Sequence, residues 1–290
     1  MSTIVLKFGG TSVATTDLIK SAAGIIKKEH DAGNNVAVVV SAMAGTTNSL
    51  IKYVEEINAN LDPEYDVVVS SGEQVTSGLM SMALNEIGVP SRSWQGWQLP
   101  ILTSGPHRNS VIEKIYPEKI IEGFKGKQVA VLAGFQGLSV NDRITTIGRG
   151  GSDASAIMIA KFFKAKKCII YTDVEGVYSS DPNKFKKAKK IKIISYEEML
   201  EMASLGAKVM QPNAVQTSMI ENIPINVRST FSENSGTKII SESEIDHKNV
   251  VTGIAYSKGN AKVSIIGVVD KPGVAAEVFE PIGKNNINID

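Results

Sequence analysis

The stretch "IVLKFGG" runs from Ile4 to Gly10. Ile4–Phe8 is a short run rich in apolar side chains, with no turn former inside it, and it ends in two glycines. Downstream, Leu18–Lys28 carries apolar residues at helical spacing. A near-continuous apolar run followed by a helix is the pattern of a strand covered on both faces and its crossover.

The unit recurs along the chain. "VAVVVS" (Val36–Ser41), "DVVVS" (Asp66–Ser70), "VAVLAG" (Val129–Gly134), "CIIYT" (Cys168–Thr172) and "INVR" (Ile225–Arg228) read as further strands. Helical patterns fill Glu73–Ile87, Asp153–Lys164 and Ala207–Glu221, and Ser195 with Glu198 in "SYEEML" opens another helix as a capping box. "SWQGWQLPILTSG" is punctuated by glycine and proline and reads as a hairpin or an irregular insert. Strand–helix alternation predicts an α/β protein, a three-layer αβα sandwich around a mostly parallel sheet.

Composition narrows the class. The 290 residues are 42% hydrophobic and 21% charged, enough to bury a core without disulfides or metals. A net charge of +1 argues against nucleic acid or an acidic membrane surface as partner. Cys168 is the one cysteine, within an apolar strand, which fits a reducing compartment. His30, His107 and His247 lie far apart, so no zinc-ligand spacing occurs. No apolar run is long enough to span a bilayer, and "MSTIVLKFGG" lacks a signal-peptide layout. The expectation is a cytoplasmic protein.

In sheets of this kind ligands bind beyond the carboxyl ends of the strands. Those ends here are "KFGGTS", "SAMAGTTN", "SSGEQ", "GFQG" and "TDVEG", a rim of glycines, hydroxyls and carboxylates. Lys7 falls on the opposite face of its strand from Leu6 and Phe8. Gly9 and Gly10 allow close backbone approach, and Thr11 or Ser12 can cap the next helix, so the motif suits an anion. It is neither a Walker A nor a Rossmann glycine motif. "TTIGRGGSDASA", Thr145 to Ala156, repeats the device: Gly148, Gly150 and Gly151 free the backbone, Ser152 is placed to cap a helix starting near Asp153, and Arg149 can hold a carboxylate bidentately. Glu73 stands at a strand-to-helix handover, where a carboxylate can meet an ammonium group; with Arg149 on the same rim, this suggests a substrate with both an α-amino and an α-carboxylate group. Thr172 and Asp173 close a strand, and Tyr178 follows, to stack on a base or pack inward. Lys184, Lys186, Lys187, Lys189, Lys190 and Lys192 form a basic, solvated loop. Lys208, at the expected start of a helix, opposes the helix dipole and hints at a nearby anion.

Taken together and in order, "LKFGGTSVA", "SAMAGTTN", "SSGEQVTSG", "GFQG", "TTIGRGGSDASA", "TDVEGVYSSDP", "GAKVMQPNAV" and "IPINVRSTF" resemble the aspartokinase family of the amino acid kinase superfamily over residues 1–240. The resemblance implies phosphoryl transfer from ATP, with Mg²⁺, to L-aspartate, giving 4-phospho-L-aspartate at the start of lysine, threonine and methionine biosynthesis. It implies Lys7 and Asp153 at the transfer centre, and Ser41, Thr47, Glu73, Arg149 and Ser152 around aspartate. It implies Lys7, Gly9, Gly10, Thr172, Asp173, Tyr178, Asn183 and Lys208 around ATP. The family usually has arginine where Asn183 stands, which leaves Lys184 as the adjacent cation. Rival readings are a kinase of glutamate, N-acetylglutamate or a nucleoside monophosphate, and a non-catalytic amino-acid sensor.

After the charged linker 241–249, "AKVSIIGVVDKPGVAAEVFEPIGKNNINID" resembles the first part of an ACT regulatory module, an α+β segment over 250–290. The expectation is a module whose remainder is missing, with a homodimer formed where the ACT region is complete.

Overall fold

In the computed structural model the described residues are 2–58, 60, 62–148, 150–207, 209–245, 251–257, 265, 267–268 and 271–284. In chain order the elements are β1 (Thr3–Phe8), α1 (Thr16–Asp31), β2 (Asn35–Val40), α2 (Thr46–Ile57), α3 (Asp62–Val69), α4 (Ser71–Glu86) and β3 (Ser91–Trp94). There follow β4 (Ile101–Ser104), β5 (Val111–Ile115), α5 (Glu118–Lys125), β6 (Val129–Ala133), β7 (Gln136–Leu138), β8 (Ile144–Thr146) and α6 (Gly151–Phe162). The rest are β9 (Cys168–Thr172), β10 (Ile193–Ser195), α7 (Tyr196–Ser204), α8 (Pro212–Glu221), β11 (Ile225–Ser229), β12 (Thr237–Ile240) and α9 (Val274–Lys284).

Eight strands form one sheet in the order β10-β12-β11-β9-β1-β2-β6-β3, parallel throughout except where β11 meets β12. Alternate residues of each central strand feed two separate cores. Leu6, Val38, Val131 and Ile169 pack with Ile19, Ile26, Met80 and Leu84 of α1 and α4. Val5, Val39, Leu132 and Ile170 pack with Ile157, Ala160, Met199 and Val215 of α6, α7 and α8. This is the expected three-layer αβα sandwich, and the apolar strands are continuous because both faces are covered.

A small sheet, β5-β4-β7-β8, sits outside the main one. The "SWQGWQLPILTSG" insert is therefore no hairpin. Its first strand, β3, edges the large sheet and its second, β4, joins the small one. The expected strand Asp66–Ser70 is also corrected: Asp62–Val69 is helical. Its buried positions, Asp66, Val69 and Ser70, follow helical spacing, and an aspartate among them hides the period. The last helix expected before β11 starts at Pro212 rather than Ala207. Pro212 takes the first helical position and Gln211 before it is extended, as proline demands of its predecessor. The Ser195–Glu198 capping box forms as expected.

The chain divides into two compact units, Met1–Tyr256 and Ser257–Asp290. Residues 251–256 belong to the first: the Ile254 N–H donates to the Ser179 carbonyl at 2.8 Å, and the Thr252 hydroxyl bonds Glu198. The second holds the expected helix, α9. The strand expected around 262–269 and the one opening at the end lie largely outside the described residues. Among those described, no helix is long and apolar enough to cross a membrane.

Candidate active site

The first unit's sheet order turns at β1. The chain runs outward from β1 through β2 and β6 on one side and through β9 and β11 on the other. A crevice must open beyond the carboxyl ends of such neighbours. It is a cavity of about 530 Å³. Lys7, Gly9 and Gly10 from the end of β1 line it, with Ser41 and Thr47 following β2 and Thr172 and Asp173 ending β9. Glu73 of α4 and Ser152 and Asp153 of α6 complete the wall.

Lys7 is buried at the centre of the sheet and its ammonium lies 2.6 Å from the Asp153 carboxylate. An isolated ammonium would not be tolerated there, and the aspartate in the first turn of α6 supplies the counter-charge. Gly10 is needed next to it, because a Cβ there would sit 2.9 Å from the Ala42 carbonyl oxygen. Gly150 has φ +74° and turns the chain into α6, which begins at Gly151. Ser152 is therefore not the cap: it lies in the first turn and faces the cavity. The N–H groups of Gly151 and Asp153 are spent on the carbonyls of Gly148 and Gly150, so the loop is less bare than its glycines suggest. Nor do Thr11 and Ser12 cap α1. Thr15 does so, and the Ser12 hydroxyl is buried against β9 and Thr230.

Glu73 is 3% exposed. One carboxylate oxygen accepts the Ala42 N–H at 3.0 Å; the other is buried with no hydrogen-bond partner among the described residues. Burial pushes its pKa up to about 7, opposed by the Ala42 N–H and by Lys7. A second buried carboxylate, Asp66, lies outside the cavity lining. It accepts from His107 Nδ1 at 2.5 Å, from the Arg108 N–H at 3.2 Å and from the Thr146 hydroxyl at 2.5 Å. It thereby ties α3 and the 105–110 loop to the strand that runs into "GRGGSD".

The amino acid kinase family model matches residues 2–229. This chain belongs to that family. It is 46% identical to an aspartate kinase of Pseudomonas fluorescens, over all of this chain and 71% of the relative. It is 35% identical to an aspartate kinase from Synechocystis of known structure, with a TM-score of 0.73, over all of this chain and 49% of that one. Escherichia coli aspartokinase III, solved with aspartate and ADP, is 26% identical with a TM-score of 0.81, over 99% of this chain and 75% of that one.

In this amino acid kinase the remaining expected residues fall elsewhere. Arg149 and Lys208 lie outside the described residues. The helix that was to begin near Lys208 starts beyond it, so the argument from an unfavourable dipole loses its footing. Tyr178 is half-buried and pairs with Lys190 in an isolated antiparallel bridge; it packs into no core and does not line the cavity. Asn183 is exposed, its N–H held by the Asp181 carboxylate at 2.9 Å. Asn48 and Phe135 line the cavity without having been singled out. Asn48 sits one residue past Thr47 within "SAMAGTTN", a signal that was available. Phe135 sits within "GFQG", a signal equally available, and takes a positive φ of 65° after β6.

Proposed function

We propose that this chain transfers the terminal phosphoryl group of ATP to the side-chain carboxylate of L-aspartate, giving ADP and 4-phospho-L-aspartate, in the cavity at the ends of β1, β2 and β9. The observation that carries the reading is the meeting in one cavity of the Lys7–Asp153 pair and the unpartnered oxygen of Glu73. The Pseudomonas relative's name and the aspartate and ADP bound to the Escherichia coli relative support it.

The chemistry follows from charge. A β-carboxylate is ionised at neutral pH and needs no general base. Bringing it to a polyanionic phosphate is the difficulty: two unit charges 4 Å apart repel by about 4 kcal/mol at an effective dielectric of 20. Lys7, fixed by Asp153, offsets that repulsion where charge migrates to the transferring group. The positive end of α6 points the same way. Glu73 receives the α-ammonium of aspartate, whose charge returns the carboxyl to its ionised form. Ser41, Thr47, Ser152 and Arg149 orient the carboxylates, and Gly9, Gly10, Thr172 and Asp173 meet the nucleotide with Tyr178, Asn183 and Lys208 beyond. N-acetylated substrates are disfavoured because they would leave Glu73 buried without a cation.

No cluster of three or more His, Cys, Asp or Glu suited to a metal occurs among the described residues. A magnesium ion that takes most of its ligands from phosphates and water fits this site, with Asp173, exposed on the cavity wall, as the available carboxylate. Held there, Mg²⁺ supplies positive charge to the phosphates. We place the enzyme in the cytoplasm, at the entry to lysine, threonine and methionine biosynthesis, and as a homodimer through a complete ACT region.

Trapping the acyl phosphate with hydroxylamine tests the reaction. With ATP and Mg²⁺, aspartate is expected to give the hydroxamate, and glutamate and N-acetylaspartate little or none. A glutamyl product at equal rate, or no product with any acid, would overturn the reading.

A further inference from the structure

A second cavity, of about 610 Å³, lies between α1 and the segment following β11. The kinase reaction uses none of its lining residues. Leu18 and Ile25 of α1 give it an apolar side, with Phe231, 55% exposed, also on its wall. Tyr171 lines it too, its ring stacked on Phe8 at 4.8 Å and 4°. The polar groups are unusual for a packing fault. Arg228 Nε is buried without a hydrogen-bond partner among the described residues, and so is the Ser232 hydroxyl. Burial raises the Tyr171 hydroxyl's pKa and the Arg228 charge opposes it.

Charge narrows what can enter. Lys28 and Arg228 are matched by Glu29 and Glu233, so the cavity is neutral overall. Lys28 and Glu233 form an exposed ion pair of 2.8 Å, and Glu29 holds the Asn34 amide at 3.2 Å. A phosphate dianion would satisfy Arg228 but stand against two carboxylates. A hydrocarbon would leave the guanidinium and Ser232 unsatisfied, at the cost of burying unpaired polar groups. A molecule with a carboxylate, an ammonium and an apolar body meets every feature of the lining. We propose that this cavity binds a small zwitterionic amino acid with an apolar side chain: its carboxylate on Arg228 and Ser232, its ammonium toward Glu29 and Glu233, and its side chain against Leu18, Ile25 and Phe231.

The site is distinct from the catalytic cavity but shares a wall with it. Tyr171 faces one and the adjacent Thr172 the other. Thr230 joins them: its N–H donates to the Thr172 carbonyl at 3.0 Å and its hydroxyl to Ser12 at 2.6 Å. Any test must therefore keep aspartate present.

Titration calorimetry of the whole chain with leucine, under saturating aspartate, reads the proposal. Leucine is expected to bind. Isocaproate, which lacks the ammonium, and isoamylamine, which lacks the carboxylate, are each expected to bind about tenfold more weakly or worse. Arg228→Met is expected to weaken leucine by about tenfold or more. Ser232→Ala is expected to weaken it several-fold; it removes a hydroxyl that makes no hydrogen bond, so the fold is kept even if the arginine variant fails to fold. Leucine that gives no heat, that aspartate displaces, that both variants bind as wild type does, or that isocaproate matches in affinity would overturn the proposal.

Discussion

The strand-end wall of the catalytic cavity and the segment joining β9 to β10 are built on different principles. Lys7 sits on the central strand of eight, both neighbours parallel and both faces buried, and Asp153 and Glu73 stand in the first turns of helices packed on that sheet. The segment after Asp173 has one isolated bridge, Tyr178 to Lys190, and a string of exposed lysines. Groups that the proposed reaction would bring to migrating charge are held by the core. Groups that would meet the base or ribose lie on a surface loop, where a substitution such as Asn183 is cheaply accommodated. The lesson is that changes at the wall should alter chemistry and stability together, and changes on the loop neither by much.

The largest effect is expected from Lys7→Ala. Loss of a charge aimed at the transferring group should lower kcat by about 10²–10³-fold, with ATP affinity little changed, as steady-state kinetics and nucleotide titration would show. A variant with normal turnover would remove Lys7 from the transfer.

Glu73→Gln should expose a conflict between function and stability. The folded protein raises this carboxyl to about 7 from an ordinary 4.5, so the folded state holds the proton more tightly than the unfolded one. The contribution is full below the unfolded value and is lost as pH rises through about 7. Over that window it is on the order of 3 kcal/mol. Glutamine should therefore raise Tm above neutral pH and flatten its fall between acid and neutral conditions. Parallel Tm–pH curves for the two proteins would contradict this.

Asp66→Asn tests the buried brace that Asp66 makes with His107, Arg108 and Thr146. Asparagine keeps the shape but loses charge-assisted bonds to His107, Arg108 and Thr146, for about 2 kcal/mol of stability. Since that brace carries the strand into "GRGGSD", the aspartate KM should rise with ATP KM nearly constant, by steady-state assay. On the loop, Asn183→Ala and Tyr178→Phe should each change ATP KM by no more than about twofold. A tenfold rise for either would mean that the surface segment closes over nucleotide more firmly than its exposure suggests.

Much of this division was legible in the residues themselves. Strands such as Val36–Ser41 and Val129–Gly134 are so uniformly apolar that only a doubly covered sheet accommodates them, and their glycine- and hydroxyl-rich ends mark the cavity rim. What misled was local chemistry overridden by tertiary partners. Asp66–Ser70 is β-branched and reads as a strand, but its aspartate is wanted in a helix, buried under His107 and Thr146. Ser152 is a good cap by type, yet Gly150, free to take a positive φ, sets the boundary two residues earlier and leaves the serine to the cavity. The small sheet was hidden because its strands are only three to five residues long and its one parallel link, Leu102 to Leu138, joins segments far apart in the chain.

If the wall reads aspartate through Glu73 while the nucleotide is held elsewhere, the two bindings should separate. Titration calorimetry of wild type and Glu73→Gln with aspartate, succinate and ATP tests it most directly. Glutamine is expected to weaken aspartate by roughly 2–5 kcal/mol, the cost of breaking a buried charged pair, and to leave succinate and ATP nearly as they were. Aspartate bound equally by both proteins, or ATP binding lost in step with aspartate, would contradict it.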